Sequence, residues 1–453
     1  MPFSPPRNAL LACLLMAIAA CSADRPPVDP AASTAAPVAP TPAPALTASP
    51  WTLPAPDGAA QPDLIALDNG QVLLSWIEPR DGGGHALKFA RWEADAWSEP
   101  REIARGDDWF VNWADTPHLR ATPDGALWAH WLRKSAAAPY AYDVVLTRSA
   151  DGGATWSTPL EVNDDGTPTE HGFVAMWPAA NDRIGIAWLD GRKTGGGHEG
   201  HAQGHDAGTM AMMTLRTAHF DAALARSDET EVDASTCDCC QTDAALTERG
   251  PLLVYRDRTE GEIRDVYTTR WQAGAWTPAR AVHADGWRMP ACPVNGPAVA
   301  ARGAQAVVGW YTAAGGAAKP EAQGEPTLWL AASPNAGDAF AAPVLVDSGA
   351  HVQGRIDLAL DASAATALWL REGPDGQALW LGRWTPDLAR ELQRIEVARI
   401  EGKGRGTGFP KLAQHAAGTY AVWTELIDGT PRLRGARLQA GAAEPLAAAV
   451  VVN

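Results

Sequence analysis

Pro62-Asp63-Leu64-Ile65-Ala66-Leu67-Asp68-Asn69-Gly70-Gln71-Val72-Leu73-Leu74-Ser75-Trp76 is the stretch that decides the fold. It reads as a short apolar strand, an Asp-Asn-Gly turn and a second strand that ends on an aromatic residue. An alternating segment follows, Leu87-Lys88-Phe89-Ala90-Arg91-Trp92, then a turn carrying Trp97 and a fourth strand toward Ile103. The aromatic-ended segment recurs as Trp128-Ala129-His130-Trp131, Gly185-Ile186-Ala187-Trp188, Leu252-Leu253-Val254-Tyr255, Val307-Val308-Gly309-Trp310, Thr366-Ala367-Leu368-Trp369 and Tyr420-Ala421-Val422-Trp423. Its aromatics are 55, 57, 67, 55, 59 and 54 residues apart. A period of this length marks stacked supersecondary units, and four short antiparallel strands per unit make a propeller blade. The sequence therefore predicts an all-β chain: a single β-propeller of about seven four-stranded blades. A string of β-sandwich domains would need longer units.

The ends read differently. Residues 1–20 have the form of an export signal, with Arg7 ahead of an apolar run from Ala9 to Ala20 that is too short for a permanent bilayer span. Ile18-Ala19-Ala20-Cys21 resembles the bacterial lipobox, which makes Cys21 the lipidation site and residue one of the mature chain. In such signals, Ser22 after the cysteine implies sorting to the outer membrane. Residues 21–48 are nearly all Ala, Pro, Ser and Thr, and read as a disordered tether ahead of a propeller over 49–453. The expected place is the cell envelope, lipid-anchored, facing periplasm or exterior, with the membrane touched through the anchor alone. Net charge is −16, and loss of the signal removes only Arg7, which leaves about −17. An acidic chain lacks the basic face that nucleic acid requires. A monomer is expected.

Ser149-Ala150-Asp151-Gly152-Gly153-Ala154-Thr155-Trp156 fits the pattern S-x-D-x-G-x-x-W, with a degenerate copy at Ser333 to Phe340 and eroded ones ending in Trp97 and Trp276. In such a turn the Ser and Asp side chains bond local backbone, Gly takes a positive φ, and the Trp plugs the gap between strands. The pattern is the Asp box, and from about residue 55 onward the chain resembles the sialidase-like, BNR-repeat propellers. Sialidases have six blades, which makes six the alternative count. They also open on an Arg-Ile-Pro motif, whereas this chain has Ala60-Gln61-Pro62-Asp63 there.

In a blade, loops joining strands two and three share a face with the blade-to-blade loops, and Asp boxes lie on the other face. The shared face collects the chemistry-bearing residues. The resemblance to sialidases implies arginines gripping a carboxylate, a Tyr nucleophile activated by Glu, and an Asp acid. Residues of those types here are Arg133, Arg192, Arg258 and Arg355 as substrate-binding groups with His171, Tyr140 or Tyr142 as nucleophile, and Glu170 and Asp115 as acid or base. The ligand expected is a glycan or another small molecule, bound and, if the protein is an enzyme, cleaved by an exo-sialidase-like glycoside hydrolysis. The alternative is a non-catalytic metal-binding or assembly scaffold.

That alternative rests on cysteines. Cys292 follows Cys237 by 55 residues, one repeat length, so Cys237, Cys239, Cys240 and Cys292 fall on equivalent loops of adjacent blades. An oxidising compartment favours disulfides. Of three pairings, Cys237–Cys240 with Cys239–Cys292 avoids an adjacent-residue ring and a one-residue loop. Thiolate ligation of copper or zinc is the other reading. Blade 3 adds a glycine-rich loop with His198, His201 and His205, then Met210, Met212 and Met213, whose imidazole and thioether groups also suit copper or zinc.

Overall fold

A computed structural model describes residues 44–195, 212–315, 322–402, 404–415 and 418–440. The signal, Cys21, and the histidines of the glycine-rich loop lie outside the described residues. Thirty strands, and no helix among the described residues, form seven antiparallel sheets. The molecule is a seven-bladed β-propeller, so the count is seven rather than the sialidase six.

Blade 1 comprises Ala60–Ala66, Val72–Pro79 and His85–Glu93, with Ala96–Trp97 and Arg101–Gly106 sharing its outer edge. Blades 2 to 6 begin on the inner strands Leu119–Ala121, His171–Ala180, Asp243–Thr247, Ala298–Arg302 and Val352–Leu360. Blade 7 takes Gly408–His415, Gly418–Ile427 and Thr430–Ala440 from one end of the propeller, and its outer strand Leu46–Trp51 from the other. That strand pairs antiparallel with the last, from Leu46 opposite Ala440 to Trp51 opposite Gly435. Leu46 to Ala48, read from sequence as tether, are part of it.

The periodic aromatics all sit on second strands and are buried between blades. Six of the seven give their polar hydrogen to a carboxylate: Trp76 to Glu78, Trp188 to Asp190, Trp423 to Glu425, Tyr255 to Asp233, Trp310 to Asp285 and Trp369 to Asp347, at 2.6–3.0 Å. A buried indole or phenol needs such a partner, which explains the acidic residues that accompany the repeat. Ser149 and Asp151 organise their turn between third and fourth strands of blade 2: Gly153 N–H donates to Ser149 Oγ at 2.7 Å, and Thr155 N–H to Asp151 at 2.9 Å. A Cβ on Gly153 would strike the Phe89 ring of blade 1, so this turn seals a blade junction.

The inner strands carry a second register. Opposite the residue that precedes each blade aromatic stand, in order, Asp63, His118, Ala175, Asp243, Ala298, Asp357 and Lys411. All seven line a central channel of about 1030 Å³. Each aspartate of this ring reaches forward to a backbone N–H of the next inner strand: Asp63 to Leu119 at 2.9 Å, Asp243 to Val299 at 2.8 Å and Asp357 to Leu412 at 2.6 Å. Two residues before the ring position, Gln61, Phe173, Arg355 and Phe409 have φ of +49 to +52° at β-bulges. A bulge with a non-glycine residue at positive φ re-aims its side chain, here at the mouth of the channel.

Candidate functional site

The loop-rich face is built where inner strands begin and second strands end. Trp113, in the loop entering blade 2, reaches Phe409 of blade 7, with ring centroids 5.4 Å apart. The Arg355 guanidinium lies over Phe409 at 4.3 Å and over Trp113 at 5.5 Å, and also donates to the Thr407 carbonyl. The next carbonyl, of Ala114, accepts from Gln241 Nε2 of blade 4 at 2.8 Å, and Asp115 accepts from the Phe173 N–H of blade 3 at 2.9 Å. Three consecutive residues thus hold blades 3, 4, 6 and 7 across the mouth. The channel beneath extends to the turns at the far face, Asp361 to Ser363 among them.

Beside this stopper, Tyr142 donates its hydroxyl to Glu170 Oε1 at 2.7 Å. Tyr142 opens the third strand of blade 2, and Glu170 immediately precedes the inner strand of blade 3, so the pair spans a blade junction. Tyr142 is 1% exposed, Asp115 3% and Glu170 7%. Phe110 lies flat on the Tyr142 ring, with centroids 3.9 Å apart and planes 8° from parallel. Gly172 is wedged among them: a Cβ there would come within 2.1 Å of Asp115 Oδ2 and 3.0 Å of the Tyr142 ring. Burial pushes the Glu170 carboxyl up to about 8, although the Tyr142 hydroxyl partly offsets it. Burial likewise pushes Asp115 up to about 7, against the Phe173 N–H. Burial, then the neighbouring Glu170 and Asp115 charges, hold the Tyr142 phenol well above its ordinary range.

His171 is fully enclosed. Its Nδ1 meets the Tyr142 carbonyl and its Nε2 meets Asp165, both at 3.0 Å. Burial disfavours its charge, but the bonds to Asp143 and Asp165 outweigh that and push it up to about 9, so both ring nitrogens donate. Arg192 grips Asp190 through Nε and Nη2, each at 2.8 Å, and reaches Asp165 at 3.2 Å. Asp165, His171 and Asp190 could face one ion by distance alone. The imidazolium and Arg192 already occupy that charge, and His171 has no lone pair to offer.

The other sequence-predicted residues are placed apart. Tyr140 is 47% exposed and edges the Phe110 ring at 6.2 Å. Arg133 pairs with Glu161. Arg258 holds Asp238 at 2.9 Å and Glu262 at 2.7 Å. Arg355 is in the stopper. The structure brings Glu170, Tyr142, Asp115 and His171 together, and gives each of the four arginines a partner inside the protein. Met213 is packed in the core, its carbonyl accepting from Thr236. The cysteines form Cys237–Cys240 and Cys239–Cys292 disulfides, so no thiolate remains for copper or zinc. Sequence reasoning missed Trp113's reach, Phe110 and the channel ring. Ring positions stand 12 or 13 residues before each blade aromatic, with no residue type in common.

No family model matches the sequence, and no curated protein matches it. Solved structures do. The polysaccharide lyase Uly1 aligns with a TM-score of 0.49 and 8% identity, over 84% of this chain and 89% of its own. An α-L-arabinanase from Penicillium chrysogenum aligns at 0.46 and 14% identity, over 88% and 99%. The NanB sialidase of Streptococcus pneumoniae aligns at 0.42 and 10%, over 84% and 68%. At such identities the likeness is one of fold.

Proposed function

We propose that the loop-rich face binds a glycan and that Tyr142 and Glu170 cleave it. The hydrogen-bonded Tyr142–Glu170 pair carries this reading. Glu170 Oε1 is positioned to take the phenolic proton as the Tyr142 oxygen attacks an anomeric carbon. Asp115, protonated near neutrality, is the acid for the leaving oxygen. Tyr140 is the exposed aromatic at the rim on which a sugar ring stacks, and Phe110 must swing off Tyr142 to admit substrate. Binding without cleavage is the second reading, favoured by the depth of the pair and by arginines already held by Glu161, Asp190, Asp238 and Glu262. Lipidation at Cys21 would hold this face at the cell envelope.

A panel of fluorogenic glycosides tests the reading. Turnover of at least one sugar by the wild type, lost by about 10³-fold or more in Glu170→Gln and Tyr142→Phe, is expected for a nucleophile and its base. Saturable glycan binding by calorimetry without turnover would leave binding alone. Neither binding nor turnover on any glycan would overturn the proposal.

A further inference from the structure

The cysteine cluster has no part in the glycan reading. Cys237 and Cys240 are buried, Cys239 is half-buried, and its partner Cys292 is exposed. The sulfurs of Cys237, Cys239 and Cys240 all lie within 4.8 Å of one another, so the two disulfides adjoin. Arg264, itself buried, donates from Nη1 to Cys237 Sγ at 3.3 Å and is steadied by Glu262 at 2.9 Å. A guanidinium on one sulfur stabilises the thiolate that this sulfur becomes, and so makes it the better leaving group. The buried disulfide is closed to an outside thiol, but Cys239 is already beside it.

We propose that these four cysteines form a thiol–disulfide relay that takes electrons from an external thiol at Cys292 and delivers them to Cys237. An external thiolate attacks Cys292 Sγ, the Cys239–Cys292 bond breaks, and Cys239 departs as a thiolate. Cys239 attacks Cys240 Sγ, which forms Cys239–Cys240 and breaks Cys237–Cys240, leaving the electron pair on Cys237 against Arg264. A second external thiolate attacks the outer sulfur of the mixed disulfide on Cys292 and releases an external disulfide. Two external thiols are oxidised to one disulfide, and one protein disulfide is reduced to the thiols of Cys237 and Cys292, which take up the two protons. A purely structural staple requires neither the arginine on Cys237 nor the adjoining exposed bond.

The test treats the native, oxidised protein with reduced glutathione, stops exchange with acid, labels free thiols with N-ethylmaleimide in guanidinium at mildly acidic pH and maps the peptides by mass. The two-electron-reduced form is expected to carry label on Cys237 and Cys292, with Cys239 linked to Cys240. Samples quenched early should carry glutathione on Cys292. Label on Cys239 and Cys292 with Cys237–Cys240 intact would overturn the relay, as would no label at all after glutathione has acted on the folded protein. In Arg264→Gln the ratio of Cys237 to Cys239 label should fall about tenfold, the factor for one charge-assisted hydrogen bond, while Arg264→Lys restores part of it. An unchanged ratio in a variant whose oxidised form melts like the wild type would remove Arg264 from the scheme. Should Arg264→Gln not fold, the wild-type label pattern decides.

Discussion

Asp115 and Glu170 are two carboxyls that the same burial treats unequally, and the inequality has a kinetic consequence. Turnover through Tyr142 needs Glu170 ionised, a form that becomes the major one only as pH passes about 8. It also needs Asp115 protonated, a form that becomes the minor one as pH passes about 7, so the rate climbs up to about 7 and falls beyond about 8. The acid titrates below the base, and only the minority form with Glu170 charged and Asp115 neutral reacts. A narrow bell with its maximum between these values is expected in kcat/KM, and its limbs belong to the coupled cluster rather than to single residues. Asp115→Asn should abolish the falling limb along with most of the rate. A profile flat from pH 6 to 9 would exclude both roles. Tyr142 is the partner of Glu170 because it opens a strand, whereas Tyr140 lies in the preceding loop and faces solvent. Residue type could offer both tyrosines, and what separates them is that the strand begins at Tyr142.

At the scale of the strand, one position recurs with opposite electrostatics. Burial disfavours the Asp63 charge, but the Arg120 guanidinium at 2.7 Å and a contact with His118 at 3.2 Å hold its carboxyl well below the usual range. Asp357, at the same place in blade 6, is pushed up to about 6 by burial, which Lys411 only partly offsets. Asp63→Asn should therefore destabilise the protein by about 3 kcal/mol, since it strands a partly buried arginine. Asp357→Asn should be nearly neutral at about pH 4 and stabilising by up to about 2 kcal/mol at pH 8. The sign follows from the folded carboxyl binding its proton more tightly than the unfolded one, so the wild type loses stability as pH rises through about 6 and the amide does not. Thermal melting of both variants at pH 4 and pH 8 checks this, and equal effects at the two positions would refute it. The blade period was legible because every unit must bury one large aromatic. The ring was not, because its seven places hold Asp, His, Ala and Lys, which share a position and no chemistry. The bulges at Gln61, Phe173, Arg355 and Phe409 were equally hidden, since nothing in those residue types announces a positive φ. Arginines could be counted in the sequence, but that Glu161 occupies Arg133 and Asp238 occupies Arg258 from other segments could not be read there.

Across the whole molecule, the segment Trp113 to Asp115 ties blade 2 to blades 3, 4, 6 and 7 at the channel mouth. Trp113→Ala should remove the ring that packs on Phe409 and Arg355 and lower stability by about 3 kcal/mol or more. Hydrogen exchange should then quicken first at the amides of Arg355 and Phe409 rather than throughout the sheets. Uniform protection in the variant would show that the mouth is held by other contacts. Blade 7, by contrast, is held together by time as well as by space. Its outer strand is made before the other strands of the propeller and waits, unpaired, for nearly four hundred residues until its neighbour Thr430–Ala440 emerges. Until then the growing polypeptide is an open arc with two unsatisfied edges, and no order of synthesis lets it close early. A ring closed by strands so far apart in the chain keeps their edges unpaired until synthesis has passed Ala440, open meanwhile to any partner able to pair with a strand.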